Sequence, residues 1–480
     1  MLMVPLLAIS GMAVDLGGWY AQGARMQKAA DAAALAAVVW LPDLAKATAV
    51  AKDTTKRNGW DDAASDIVVT VAQTSTTELK VTILDTTVPL GMAKLFLSDM
   101  RITREASAEY VLAVPMGSPR NYFGTGNLAP TPEGFWAAIN GWCAPKEQGD
   151  PLAPGFMGNW PGGGIQCPGG TANPDYVPDP DYPYEYIVDL PTNRTQPVVI
   201  HLYHPEFTGT APDGCCGTMT TMFRLRSPDN TPLNDTDNPI SSCTGTGESN
   251  PRSYVTNGTD NDATIFGVSG WSKYCTIGTS APAGRYLFSV RSQENQASSW
   301  VSNSYSVMAS YNGTGATCDA RTDATCPKVY GKEWISIFAQ STSPNADFFL
   351  SEIGPEHAGK QMQVTLFDPG EGGNTIQILD PAGSVVNFSY VTRDGLYSGG
   401  PLSQLDVSGC TGQPQIGTGR AGSCKFNERY VVLLINIPSN YATLFPGQKW
   451  WKIKYNFNAN VQDRSSWSVQ VLGDPVHLSG

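Results

Sequence analysis

The sequence predicts a mainly β chain with an α+β N-terminal part: a membrane helix, a small α+β module, and two tandem antiparallel β-sandwich domains. Three observations carry this reading. Residues 1 to 14 hold no charge, and alanine then dominates to about Trp40, as one long helix requires. The 480 residues contain 49 Gly and 35 Pro with only 15% charged side chains, the composition of many turns between short strands. Beyond residue 116 the order of strand-like blocks repeats once.

The first element, residues 1–42, is read as a transmembrane and stalk helix. Fourteen uncharged residues at helical rise span about 21 Å, short of a hydrocarbon core of about 30 Å, so a buried core helix is the competing reading. The asymmetry favours an anchor: the apolar run comes first, and the helix turns amphipathic after Asp15, with its first basic residues at Arg25 and Lys28. A cleaved secretory signal would need a basic leading segment, and no Lys or Arg precedes Arg25. Ala13, Gly17, Ala21, Ala29, Ala33 and Ala37 recur at four-residue steps beside Asp15, a small face that could admit a partner helix. Helix propensity alone explains the same alanines equally well.

Residues 43–115 read as the α+β module. Asp43 is a plausible N-cap and Asn58-Gly59 a plausible stop for a second helix. Ile67/Val69/Val71 and Leu79/Val81/Ile83 alternate as two strands, and Pro89 suits the first turn of another helix. The strands need an apolar cover, which the segment after Pro89 and the Ala-rich stalk can supply.

Val14-Asp15-Leu16-Gly17, Tyr20, Gln27 and Ala29-Ala30-Asp31-Ala32-Ala33-Ala34-Leu35-Ala36 together resemble the head of TadE/TadG-like proteins of the Tad (Flp) pilus-assembly system. The likeness continues through Asn58-Gly59-Trp60, the paired strands, Val88 to Phe96, and a strand through Ala106 to Glu109, roughly the first quarter of the chain. It implies a single-pass N-terminal membrane anchor, an extracytoplasmic C-terminal region, and other pilus-assembly or envelope proteins as partners.

Gly, Pro, Ser and Asn crowd residues 115–132, and two similar halves follow. Tyr184 to Val188 and Val198 to Glu206 reappear as Asp347 to Leu350 and Met362 to Gly370. Gly284 to Val290 and Asn303 to Val307 reappear as Lys449 to Tyr455 and Ser465 to Val469. The expected domains are a first sandwich at 116–315, a disulfide-pinned linker at 316–330, and a second sandwich at 331–480, each with its own core.

All ten cysteines lie at or after Cys143: Cys143 and Cys167, then Cys215, Cys216, Cys243 and Cys275, then Cys318 and Cys326, then Cys410 and Cys424. An even number in loop-rich sequence favours disulfides and an extracytoplasmic location, with connectivity left open. Of 31 basic and 43 acidic residues, 10 and 12 fall in residues 1–115, leaving 21 and 31 beyond. Nucleic acid is excluded as a partner because phosphate neutralisation needs clustered Lys and Arg.

No nucleophile elbow, zinc-protease helix or phosphate loop is present, so the chain reads as non-enzymatic. His201 and His204 read as surface or turn residues. Calcium is the one cofactor weighed, with Asp179, Asp181, Asp260, Asp262 and Asp368 as weak ligands, against the ordinary role of Asp in turns. Trp450-Trp451, Trp271 with Tyr274, and the tyrosines around Tyr184 either line a groove or fill the core. The leading function is a membrane-anchored structural component of a pilus-assembly or cell-surface apparatus. The alternative is a surface adhesin or a glycan- or calcium-binding ectodomain tethered by a pilin-like helix.

Overall fold

In the computed structural model the described residues are 3–41, 44–74, 78–110, 114–124, 133–144, 146, 149–153, 173, 176, 182–203, 218–229, 237–256, 263–265, 268–293, 301–341, 345–369, 375–407, 426, 429–456, 461–472 and 476–478. The chain forms two compact units. One holds residues 1–112, 229–238 and 473–480, and the other holds residues 113–228 and 239–472.

The first unit is built on a 36-residue helix, Met3–Val38, followed by Leu44–Arg57. Its sheet orders Ile67–Gln73, Glu78–Asp85, Ile102–Tyr110 and Val476–Leu478 side by side, all antiparallel. Leu79, Val81 and Ile83 turn inward, as their alternation predicts. Met26, Ala29, Ala30, Ala33 and Ala37 of the long helix pack against them. Small alanines let the helix lie close to the sheet, so the C-terminal half of the expected anchor is a core element of this unit. Among the described residues no helix is long and apolar enough to cross a membrane. The segment after Pro89 forms only a 3-10 turn, Met92–Leu95, and leaves Leu95 and Phe96 exposed, so it adds little cover.

In the second unit the strands of the two similar halves pair in the same pattern. In the first copy Tyr184–Leu190 pairs with Gly284–Ser292, and Val198–Tyr203 pairs with Ser302–Tyr311. In the second copy the equivalent strands Asn345–Glu352 and Trp450–Asn456 pair, as do Gln361–Phe367 and Val461–Leu472. Two five-stranded sheets, one per copy, face a sheet that is 12-stranded among the described residues. One continuous apolar core lies between, running from Tyr186, Ile200 and Phe223 to Val364, Leu433 and Ile453.

That shared sheet corrects the expectation of two separate sandwiches. Glu133–Asn140 and Ile335–Ser341, the strands preceding each copy, pair with each other from Ile337↔Ala137 to Ser341↔Glu133. Each would otherwise be an open edge, and pairing removes both. The linker is also no free connection: Lys328–Gly331 pairs with Tyr184–Leu190. Asn121 donates to the carbonyls of Ala309 (2.8 Å) and Ala316 (2.9 Å) and accepts from the Cys318 N–H at 3.0 Å. The last strand, Val476–Leu478, belongs to the first unit rather than to the second repeat, pairing with Ile102–Tyr110.

A buried polar cluster sits at the junction of the copies. The Arg464 guanidinium donates to Asn140 Oδ1 and Ser302 Oγ, both at 2.5 Å. Asp150, wholly buried, accepts from the Asn140 N–H (3.0 Å) and the Leu152 N–H (3.0 Å). Burial pushes the Asp150 carboxyl up from 3.8 to about 6, against the lowering effect of its backbone hydrogen bonds and of Arg464. Because the folded protein holds this proton more tightly than the unfolded chain, Asp150 favours folding at low pH. The gain grows as pH falls from about 6 towards 4, by up to about 3 kcal/mol. The stability of wild type relative to Asp150→Asn is expected to rise by that order between pH 7 and pH 4.5 in urea melts, and a pH-independent difference refutes the assignment.

Candidate functional site

The chemistry of the N-terminal unit gathers where the long helix meets the loop between Asp85 and Leu95. Asp15, Trp19 and Gln22 follow one helical face at steps of four and three. Asp15 Oδ2 accepts the Ala93 N–H at 2.6 Å, satisfying a backbone donor at the start of the 3-10 turn. Trp19 Nε1 donates to the Pro89 carbonyl at 3.1 Å. Gln22 Nε2 donates to Asp85 Oδ2 at 2.7 Å, while Asp85 Oδ1 accepts the Thr87 N–H at 2.9 Å and shapes the loop. Further along, Gln27 Nε2 reaches the Glu105 carbonyl at 2.9 Å.

Gly91 makes the approach to Asp15 possible, and Gly23 leaves room for the Arg104 side chain further along the helix. A Cβ on Gly91 would lie 2.2 Å from Asp15 Oδ1, and one on Gly23 would lie 2.7 Å from the Arg104 guanidinium. Val14 and Leu16 beside Asp15 are exposed at 74% and 57%, and Leu95 and Phe96 just after Ala93 at 73% each. The Asp15–Ala93 hydrogen bond is thus flanked by outward apolar side chains on both chain segments.

The proposed helix-packing residues divide accordingly. Asp15 is committed to the unit's own turn, Ala13 and Gly17 are exposed, and Ala21 is half-buried. Among the described residues, nothing beyond its own helix lies within 4 Å of where a Gly17 Cβ would stand. Trp19, Gln22 and Gly91 went unnoticed in sequence, although a polar residue on the Asp15 face of an otherwise apolar helix is the signal that points to them.

Cys243–Cys275 and Cys318–Cys326 are disulfides, and Cys143 is disulfide-bonded. Cys167, Cys215, Cys216, Cys410 and Cys424 lie outside the described residues, as do Asp179, Asp181, Asp260 and Asp262. Asp368 is buried in a left-handed conformation directly after Gln361–Phe367. Among the described residues the one close grouping of potential metal ligands is Cys243, Glu248 and Cys275, and both its sulfurs are joined. Glu248 there accepts the Thr276 N–H and hydroxyl, both at 2.6 Å, a structural role beside the disulfide.

His201 is not on the surface as the sequence suggested: it is fully buried on Val198–Tyr203, on the face away from Ile200 and Leu202. His204 lies outside the described residues. Trp271, Tyr274, Trp451, Tyr184 and Tyr186 are buried. Tyr182 is buried under Arg224 and Arg291, whose guanidinium carbons lie 3.9 and 4.9 Å from its ring centroid.

Residues 1–47 match the model of the TadE/G-like Flp pilus-assembly family. No curated protein matches the chain.

The geometry separates two kinds of substitution. Asp15→Ala and Gly91→Ala are expected to expose the Ala93 amide, with faster hydrogen exchange there and a loss of about 1–2 kcal/mol from the N-terminal unit. Gly17→Leu, at an open helical position, is expected to leave stability unchanged or raise it by about 1 kcal/mol. Slow exchange at Ala93 in Asp15→Ala would show that the contact does not hold the turn.

Proposed function

We propose that this chain, with its TadE/G-like head, is a non-enzymatic component of a Tad/Flp-type pilus-assembly or cell-surface apparatus, anchored in the membrane by residues 1–14 and carrying its β-rich region outside the cytoplasm. The match of residues 1–47 to the pilus-assembly family is the observation that carries this reading. Three physical features support it. The uncharged N-terminal run leads into a helix whose later half is tied to its own module, the order expected of an anchor that continues into a folded stalk. Val14, Leu16, Leu95 and Phe96 keep apolar surface turned outward at the point where charge first appears. The disulfides of the C-terminal unit suit an oxidising compartment.

The exposed small residues Ala13 and Gly17 suit contact with another membrane helix of the same apparatus, where close backbone approach replaces a hydrophobic driving force. The coupling would be mechanical: the Asp15, Trp19 and Gln22 contacts fasten the module to the helix close to its apolar end.

Fractionation tests the anchor. Full-length chain is expected to stay with membranes through salt and carbonate washes, and removal of residues 1–14, which spares the core alanines of the helix, to release it. Full-length protein in the soluble fraction, or ten free thiols in protein taken from its native compartment, overturns the placement. Gly17→Leu is expected to weaken crosslinking to other pilus-assembly proteins without lowering the melting temperature, and undiminished crosslinking removes that face from the proposed contact.

A further inference from the structure

In a chain of net charge −12, the C-terminal unit holds a groove of about 560 Å³ whose lining includes Arg321, Lys328, Lys449 and Lys452, with Glu352 as its acidic member. Its floor is the outer face of the second copy's small sheet, where Phe349 stands across from Lys452 and beside Trp450, with ring centroids 5.7 Å apart. The Cys318–Cys326 loop of the pinned linker brings Arg321 over this floor, 4.9 Å from the Phe349 ring centroid. Arg120 and Lys452 lie 5.8 and 5.6 Å from the same ring. Three cations are thus collected at one aromatic side chain, an arrangement that cation–π attraction tolerates but that mutual repulsion disfavours.

Neutralisation of these cations is incomplete. Asp319 is forked onto Arg321, with contacts of 2.6 to 3.2 Å, and lies 3.8 Å from Arg120. Lys449 reaches Glu356 at 3.8 Å and Lys328 reaches Asp189 at 3.3 Å, solvent-exposed or half-exposed pairs of the kind that contribute little and exchange readily. Lys452 has no ion-pair partner among the described residues.

We infer that this groove binds an anionic saccharide of the uronic-acid class. Its volume falls within the range of small-ligand sites. Carboxylates along a sugar chain suit a groove lined by Lys328, Lys449 and Lys452, a ring C–H face suits the half-buried Phe349, and the exposed Gln448 amide offers partners to hydroxyls. An extended acidic peptide fits less well. Adding a strand needs a free sheet edge, and beside Phe349 the Leu350 carbonyl already accepts from Gly117 while the Glu352 N–H donates to Pro115.

The test uses the full chain against immobilised polygalacturonate, with dextran as the neutral sugar and poly-glutamate as the acidic peptide, at 50 and 300 mM NaCl. Polygalacturonate is expected to bind, to weaken with salt, and to lose about tenfold in affinity in Lys452→Gln and again in Lys449→Gln. Lys452→Arg is expected to retain binding, and melting curves check that every variant is folded. No binding of polygalacturonate, equal or tighter binding of poly-glutamate, or lysine variants that bind as wild type would each overturn the inference. The outcome does not depend on the anchor, since every residue of the groove lies between Ala320 and Lys452, far in sequence from residues 1–14.

Discussion

The C-terminal unit depends on the antiparallel pairing of Glu133–Asn140 with Ile335–Ser341. Two duplicated sandwiches joined by a flexible linker would each expose a long edge, with unpaired N–H and C=O groups inviting aggregation. Here the edge of one copy is the partner of the other. Side chains on one face of the joined sheet, Ala137 and Ile139 with Ile335 and Ile337, then enter a single core. Separating the copies would break the backbone ladder and expose that core together, so they are held as one cooperative body.

The same junction explains the polar groups that a purely apolar interface would not need. Arg464 comes from the second copy, while Asn140, Ser302 and Asp150 come from the first. A buried charge is tolerated only with its hydrogen bonds made, and the Arg464 bonds to Asn140 and Ser302 tie the second copy to the first at their junction. Replacing Asp150 alone removes a group that costs stability when ionised, whereas replacing Arg464 alone would strand it without a counter-charge. On the outer face the consequence differs: fusing the copies places the linker disulfide over the second copy's small sheet, and a groove forms from residues far apart in sequence. Sequence repetition made neither copy's groove; their junction did.

Much of the first unit was legible because local patterns agree there. Alternation at Leu79, Val81 and Ile83, the Asn58-Gly59 stop of the second helix, and the alanine face from Ala29 to Ala37 each answer to one physical requirement, while the expected N-cap Asp43 lies outside the described residues. The repeat was legible for the same reason, since inward apolar positions recur in strands that keep their partners. What was hidden is non-local. Nothing in Glu133–Asn140 announces that its partner lies some two hundred residues away, and Val476–Leu478 is too short to show which sheet it completes. The contacts of Trp19 and Gln22 depend on a loop whose path is set by Asp85 and Gly91. His201 was misread for a related reason: on a sheet with both faces covered, alternation no longer separates core from surface.

The C-terminal return has a topological consequence. Ile102–Tyr110 and Val476–Leu478 are adjacent strands of the N-terminal sheet, with Tyr110 opposite Val476. The residues between them include the whole second unit, which is therefore an insertion between two neighbouring strands rather than a tail. A tail has one covalent attachment and can unfold or be pulled without disturbing what precedes it. An insertion has two, and tension on it loads the hydrogen bonds between its flanking strands and the Ala-rich helix that covers them. The module is fastened to its helix through Asp15, Trp19 and Gln22, so the strands that flank the insertion and the helix that covers them belong to one hydrogen-bonded and packed unit.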